Sequence, residues 1–334
     1  MAEQEKKRIL QVKDLHVHYI TDEEEVCAVN GTSFDLDEGD SIGLVGETGA
    51  GKTTTAMAIM QLVPDPPGVI TGGEIFFKGQ NMIANSDAED EKIRGNGISM
   101  IFQDPMTALN PTMTVGDQLI EVLRRHNRSM TKAEAKKRAI EMLEMVGVKA
   151  ERFDDYPHQF SGGMKQRVVI TMALLCEPDL LIADEPTTAL DVTIQAQVLQ
   201  IMMDLRDKFH MGLIMITHDL GVVAETCDKV AIIYAGEVVE AGTVPEVYLN
   251  PRHPYTRGLF DSIPKLDGDS ARLIPIEGMT PNMAEPPTGC FFHPRCKYCQ
   301  EKCKTQSPGT VQMEGGTHRF KCFYPLGNEK DEEV

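Results

Sequence analysis

Apolar and polar residues alternate from Ile9 to Tyr19 (Ile9-Leu10-Gln11-Val12, then Leu15-His16-Val17-His18-Tyr19), the period of a half-buried β-strand. A second strand is expected around Thr32–Leu36. Ser41-Ile42-Gly43-Leu44-Val45 is short and apolar, as a strand buried on both faces would be, and Thr54–Leu62 reads as a helix. The break Pro64-Asp65-Pro66-Pro67-Gly68 precedes a strand at Gly73–Lys78, and Ile98–Phe102 is another short apolar run. From about Val115 to Tyr156 the period changes. Ala139, Met142, Leu143 and Val146 share one stripe at helical spacing, so a helical insertion between strands is expected. Beyond it come a helix at Val168–Leu175, a strand at Leu180–Ala183, a helix at Ile194–Phe209 and a strand at Leu213–Thr217. Lys229–Gly242 reads as a hairpin turning at Ala235-Gly236. Strands alternating with helices predict an α/β protein.

Between the apolar strand at 41–45 and its helix lies Gly46-Glu47-Thr48-Gly49-Ala50-Gly51-Lys52-Thr53, which fits G-x-x-x-x-G-K-[ST]. Glycines let the backbone curl so that successive N–H groups face phosphate oxygens, and the helix N-terminus adds partial positive charge. Lys52 would reach the β- and γ-phosphates, and the Thr53 hydroxyl would hold Mg²⁺. A plain Gly-rich turn could share this composition, but the strand-loop-helix context favours a nucleotide. Gln103, Asp184 and His218 each fall just past the C-terminal end of an apolar strand, where an open α/β sheet places its site. Taken singly, Asp184-Glu185 could be an N-cap turn and His218-Asp219 the start of a helix. Beside a phosphate loop, they read jointly as catalytic machinery.

Composition narrows the choice. Asp plus Glu number 51 against 33 Lys plus Arg, a net charge of −18, which argues against a nucleic-acid-binding surface. The 334 residues, 41% of them hydrophobic, suffice for two domains or one large α/β domain with additions. The longest apolar runs, such as Val168–Cys176, are about half of what a membrane span needs, and charged Met1–Arg8 lacks the apolar core of a signal peptide. Any membrane role is expected to run through a partner.

Phe160-Ser161-Gly162-Gly163-Met164-Lys165-Gln166-Arg167 completes an ordered series: phosphate loop, Gln103, this Ser-Gly-Gly element, Leu180–Glu185, Ala189-Leu190-Asp191 and His218. With that order, residues 9–250 resemble the ATP-binding subunit of an ABC transporter. Gln103-Asp104-Pro105, Tyr156–Gln159 and His253-Pro254-Tyr255 with a Cys-bearing tail resemble its dipeptide/oligopeptide/nickel importer branch. Thr48 and Met164 depart from the Ser and Gln-like residue usual in the family. The resemblance implies a P-loop NTPase ABC cassette over residues 1–250: a mixed sheet, an antiparallel β subdomain and a helical signature subdomain at about 110–165. A small irregular Cys-rich extension, 251–334, follows. It also implies an ATPase energising peptide import, with nickel or another solute as the alternative. A soluble ABC protein of DNA repair or translation would instead carry two cassettes or a long coiled coil, and a non-catalytic iron–sulfur module would not need Lys52, Asp184, Glu185 and His218 together.

The resemblance further assigns roles. Tyr19 stacks on adenine, while Gly46, Glu47, Thr48, Gly49, Ala50, Gly51, Lys52, Thr53 and Thr54 wrap the triphosphate. Thr53, Gln103 and Asp184 hold Mg²⁺. Glu185 is the general base or orients the attacking water, and His218 contacts the γ-phosphate. Ser161 and Gly163 cap the nucleotide of a second ATP-binding subunit, and Asp191 bridges the same interface. The implied partners are that second subunit, related but different, two transmembrane permease subunits and an extracytoplasmic peptide-binding protein. The implied place is peripheral, on the cytoplasmic face of the cell membrane.

Of eight cysteines, Cys27, Cys176 and Cys227 are scattered and read as small buried hydrophobes. Cys290-x5-Cys296-x2-Cys299-x3-Cys303, with Cys322 further on, form a cluster. Spacing leaves open a [4Fe–4S] cluster, structural Zn²⁺, or unligated or disulfide-linked thiols, although a single C-x2-C pair weakens zinc. Family resemblance implies a [4Fe–4S] cluster on Cys290, Cys296, Cys303 and Cys322, with Cys299 as rival, stapling a tail that lacks its own core. Tyr255–Ser262 is expected as a helix, Leu266–Pro287 as extended chain, and Asn328–Val334 as disordered.

Overall fold

The computed structural model describes residues 7–188, 190–262 and 275–327; of residues 105 and 106 it describes the backbone alone. Expectations for Ala189, for 266–274 and for Asn328–Val334 lie outside the described residues. The strands are β1 (Arg8–Ile20), β2 (Glu25–Asp37), β3 (Ser41–Val45), β4 (Gly68–Phe77), β5 (Gln80–Asn81) and β6 (Ile98–Ile101), then β7 (Leu180–Asp184), β8 (Gly212–Thr217), β9 (Lys229–Tyr234), β10 (Glu237–Thr243), β11 (Val311–Gln312) and β12 (Arg319–Phe320). The chain divides into two compact units, one of Met1–Leu10, Leu36–Ser41 and Phe77–Ile216, the other of Gln11–Asp35, Ile42–Phe76 and Thr217–Val334.

In the first unit β6, β7 and β8 pair in parallel, with Ile98 opposite Leu180 and Leu180 opposite Gly212. Every residue of β7 and β8 is buried, as expected for apolar runs covered on both faces. The segment between β6 and β7 is helical. Beyond the expected helix, here Lys132–Met145, it holds a second at Val115–His126. Thr131 and Glu134 close a capping box at the start of the former. Gln118, almost fully buried, accepts from the Asn110 N–H at 2.8 Å and donates to the Asn110 carbonyl at 3.1 Å, tying the helix to the chain before it. Arg152 donates to the Gln159 carbonyl at 2.7 Å and lies 4.8 Å over the Phe160 ring, which fixes the approach to helix Gly162–Leu174.

In the second unit β3 runs parallel to β9, while β9 and β10 form the expected hairpin. Its turn residues Ala235 and Gly236 both adopt left-handed conformations, φ 50° and 77°, the geometry that matches a two-residue turn to strand twist. β2 begins at Glu25, well before the strand expected at Thr32–Leu36. Its early residues find partners far along the chain: the Cys27 N–H donates to the Met283 carbonyl at 2.9 Å and Asn30 N–H to the Gly236 carbonyl at 2.8 Å. β1, β2 and β4 neighbour one another in the order β2-β1-β4.

The C-terminal region is more regular than an irregular tail. β12 extends the hairpin as an antiparallel neighbour of β10, β11 pairs with β12, and short helices occupy Pro254–Asp261 and Glu301–Thr305. Fully buried Glu240 anchors it, accepting from the N–H groups of Arg252 at 2.6 Å and His253 at 2.9 Å and lying 2.7 Å from His318 Nε2. Phe292, Met283 and Tyr255 share one apolar cluster with Val45, Ile232 and Tyr234, so the tail borrows the core of β3 and β9 rather than building its own.

His253 is buried, and its Nδ1 accepts the Tyr255 N–H at 3.1 Å, so the folded state needs the neutral ring. Burial pushes its pKa down from 6.5 to about 4, against the opposing pull of Glu240. The unfolded chain therefore binds a proton more readily, and stability from this group, complete above its unfolded value, falls as pH drops toward 4. We expect His253→Asn, which keeps a cap acceptor, to flatten the pH dependence of urea unfolding by about 2 kcal/mol between pH 7 and 5. Parallel slopes for variant and natural chain would contradict this.

Candidate nucleotide-binding site

The phosphate loop joins β3 to helix Lys52–Ile59, and two close backbone approaches set its path. A side chain at Gly46 would place its Cβ 2.1 Å from the Ile233 carbonyl oxygen, and one at Gly51, φ 93°, would meet the Ala28 carbonyl at 2.4 Å. Strands β9 and β2 thus act as walls against which the loop is pressed. No side chain caps the helix at Gly51, the arrangement in which an anion can take the cap's place. Thr48, Gly49 and Thr53 are exposed. Buried Lys52 arches over the loop, its ammonium donating to the carbonyls of Gly46 at 2.7 Å and Glu47 at 2.9 Å. Tyr19 is half-buried at the end of β1, its ring against Gly68. His218 is exposed just past β8. Asp219, not His218, starts the next helix, accepting from the N–H groups of Gly221 at 2.8 Å and Val222 at 3.3 Å.

In the other unit, β6 and β7 bring two of the expected residues together. The Gln103 amide donates to Glu185 Oε2 at 2.9 Å. The Thr188 hydroxyl donates to the same oxygen at 3.0 Å, a partner that the sequence reading missed although it stands one turn beyond Glu185. Asp184 is buried at the end of β7. Glu185 takes a left-handed conformation, φ 46°, that non-glycine residues seldom adopt, and its N–H donates to the Ile216 carbonyl at 2.9 Å. An aimed carboxylate on a sharp strand-end bend is suited to orienting a water molecule.

Ser161 is exposed at the head of helix Gly162–Leu174, where its hydroxyl accepts from the Met164 N–H at 3.4 Å. Gly163 packs against the next helix, since a Cβ there would lie 2.5 Å from Ile194 Cγ2. Asp191 caps that helix, accepting from the Ile194 N–H at 3.0 Å, and its side chain is exposed.

Cys290, Cys296, Cys303 and Cys322 line one small apolar cavity with His253, Phe292 and Tyr324. Cys299 is outside this lining, its thiol 3.7 Å from the Gln300 carbonyl. Burial pushes the Cys290 thiol up to about 11, Cys296 to about 12 and Cys322 to about 11. Such thiols stay protonated unless a nearby cation draws off the proton. Among the described residues no three His, Cys, Asp or Glu side chains form a group able to hold a metal ion.

The sequence profile of the ABC transporter family matches residues 29–188, and that of the oligopeptide/dipeptide transporter C-terminal region matches residues 239–303. Over 319 residues the chain is 50% identical to the dipeptide transport ATP-binding protein DppD of Bacillus subtilis, covering 95% of each. The chain belongs to the oligopeptide/dipeptide branch of the ABC transporter ATP-binding proteins. This ABC protein is also 47% identical, over 328 residues, to the oligopeptide transport ATP-binding protein OppD of Escherichia coli, covering 98% of this chain and 96% of that one. Its fold resembles that of a dimeric ATP-binding cassette solved in a post-hydrolysis state with ADP and Pi. The TM-score is 0.63 at 27% identity, over 71% of this chain and 99% of that one.

Gly46 offers a direct check on the loop walls. Gly46→Ala forces a methyl group against backbone, and we expect it to lower stability by about 1–3 kcal/mol and to weaken MgATP binding at least tenfold. A variant with natural affinity and thermal midpoint would show that the Ile233 wall does not shape the loop.

Proposed function

We propose that this ABC protein is the ATP-hydrolysing subunit of an importer of dipeptides or oligopeptides. The supporting observation is the extent of the likeness to peptide-transport relatives, which runs through the cassette and the C-terminal region alike. Nickel is the alternative solute of this branch.

In this reading residues 46–54 wrap the triphosphate, Lys52 swings from its loop carbonyls onto the β- and γ-phosphates, and Tyr19 stacks on adenine. Thr53, Gln103 and Asp184 would hold Mg²⁺, which supplies charge neutralisation at the phosphates. Glu185, poised by Gln103 and Thr188, orients and deprotonates the attacking water. His218 contacts the γ-phosphate and senses its loss. Ser161, Gly163 and Asp191 face a second ATP-binding subunit, where helix Gly162–Leu174 presents its N-terminus to the partner's nucleotide. That one solved cassette of this fold is dimeric supports such a pairing; a related but different partner is proposed over a second copy. Among the described residues no helix is long and apolar enough to cross a membrane. We place the chain on permease subunits at the cytoplasmic face, with a peptide-binding protein outside, by its likeness to peptide-transport ATP-binding proteins. For the cysteine tail we carry forward the [4Fe–4S] assignment. Four thiols around one small cavity, with the family resemblance, support that reading. Cys290, Cys296, Cys303 and Cys322 would hold it, with a structural role, in an extension proposed to be specific to this branch.

Glu185→Gln should bind MgATP, accumulate as a closed dimer and lose at least about 99% of steady-state phosphate release. Undiminished turnover would defeat the assignment of Glu185. Protein purified without oxygen should be brown and absorb near ~400 nm, and Cys296→Ser should lose both colour and iron. An iron-free, colourless preparation would remove the cluster from the account.

A further inference from the structure

Glu47 is the only carboxylate within the phosphate loop, residues 46–53. Beside a polyanionic ligand its charge is repulsive, and it is less screened than a surface charge because its side chain is only 26% exposed. The structure meets that charge from the far end of the chain. Arg295 Nη1 donates to Glu47 Oε2 at 2.7 Å and Nη2 to Oε1 at 3.0 Å, a bidentate pair formed across 248 residues of sequence. The Arg295 side chain is 5% exposed. It is held from behind, donating to the carbonyls of Glu277 at 3.1 Å and Ile276 at 3.4 Å and to the Tyr234 hydroxyl at 3.4 Å. A second hold acts on the loop backbone: the Glu47 N–H donates to the Tyr255 hydroxyl oxygen at 3.0 Å. Tyr255 is fully buried, its ring 4.6 Å from Tyr234 and 5.4 Å from Phe292, so it has little freedom to follow a loop that moves.

We propose that Arg295 and Tyr255 are positioning residues of the nucleotide site: they clamp Glu47, hold the loop in its phosphate-cradling shape, and cancel the one negative charge built into it. The C-terminal region is then part of the ATPase site and not an appendage to it. This rests on the reading of residues 46–54 as the triphosphate site.

A double-variant cycle on the full chain separates this role from simple packing, read out as equilibrium binding of trinitrophenyl-ATP with Mg²⁺, alongside the thermal midpoint of each variant. Arg295→Ala leaves a half-buried carboxylate uncompensated within the phosphate loop and should weaken binding about tenfold, while Glu47→Gln, which loosens the clamp but removes the charge that needs cancelling, should weaken it by a smaller factor, about threefold. Arg295→Ala combined with Glu47→Gln should bind like Glu47→Gln alone. Arg295→Lys keeps the charge but loses the fork, and should fall between natural chain and Arg295→Ala; it serves the same comparison if Arg295→Ala does not fold. Losses that multiply in the double variant, or natural affinity in Arg295→Ala, would overturn the clamp. Lys52→Ala tells the two readings apart. If it binds the probe at full strength, the triphosphate site itself is wrong. If it abolishes binding while Arg295→Ala binds normally, the clamp alone fails.

Discussion

The constraint on which the second unit depends is that backbone walls in the phosphate loop at Gly46 and Gly51. Backbone carbonyls of Ile233 and Ala28 stand where side chains at Gly46 and Gly51 would be, and Gly236 donates to the Ala50 carbonyl at 3.0 Å. A phosphate cradle gains its strength from N–H groups already aimed before the anion arrives, because ordering them at the moment of binding would cost affinity. Here the aiming comes from β2, β9 and the β9–β10 turn. Those strands lie far apart in sequence, and the apolar cluster beneath them is completed only by Tyr255, Met283 and Phe292.

Charge is handled by the same logic at each place. Glu240, fully buried, is balanced by two backbone N–H groups and His318, and in that way becomes the joint between hairpin and C-terminal region. Glu47 is balanced by Arg295. Glu185 is held in place by neutral donors, the amide of Gln103 and the hydroxyl of Thr188. The left-handed backbone at Glu185 aims that carboxylate on a bend that non-glycine residues seldom adopt.

Much of this was legible before any coordinates. β3, β7, β8 and the β9–β10 hairpin follow from local apolar runs and turn residues, and the phosphate loop from its spacing, because each is specified by residues adjacent in sequence. The limits of β2 were not legible, since Cys27 and Asn30 bond to residues more than two hundred positions away. The helix Val115–His126 was folded into a general expectation of helical character. The C-terminal region read as irregular because its strands are two residues each, too short to carry a period, and become strands only on the edge of β10.

Sequence alone determined the chemistry available: a phosphate-binding loop, a Gln, an Asp-Glu pair and a His at strand ends, a Ser-Gly-Gly helix start, and cysteines enough for a cluster. Those are local patterns, and residue type with spacing suffices to state them. Tertiary structure alone decided which residues answer to which. It set Gln103 and Thr188 on Glu185, brought four cysteines but not Cys299 around one cavity, and sent Arg295 and Tyr255 to Glu47. Such pairings depend on backbone paths separated by up to 248 residues, and no periodicity or motif encodes a contact of that kind.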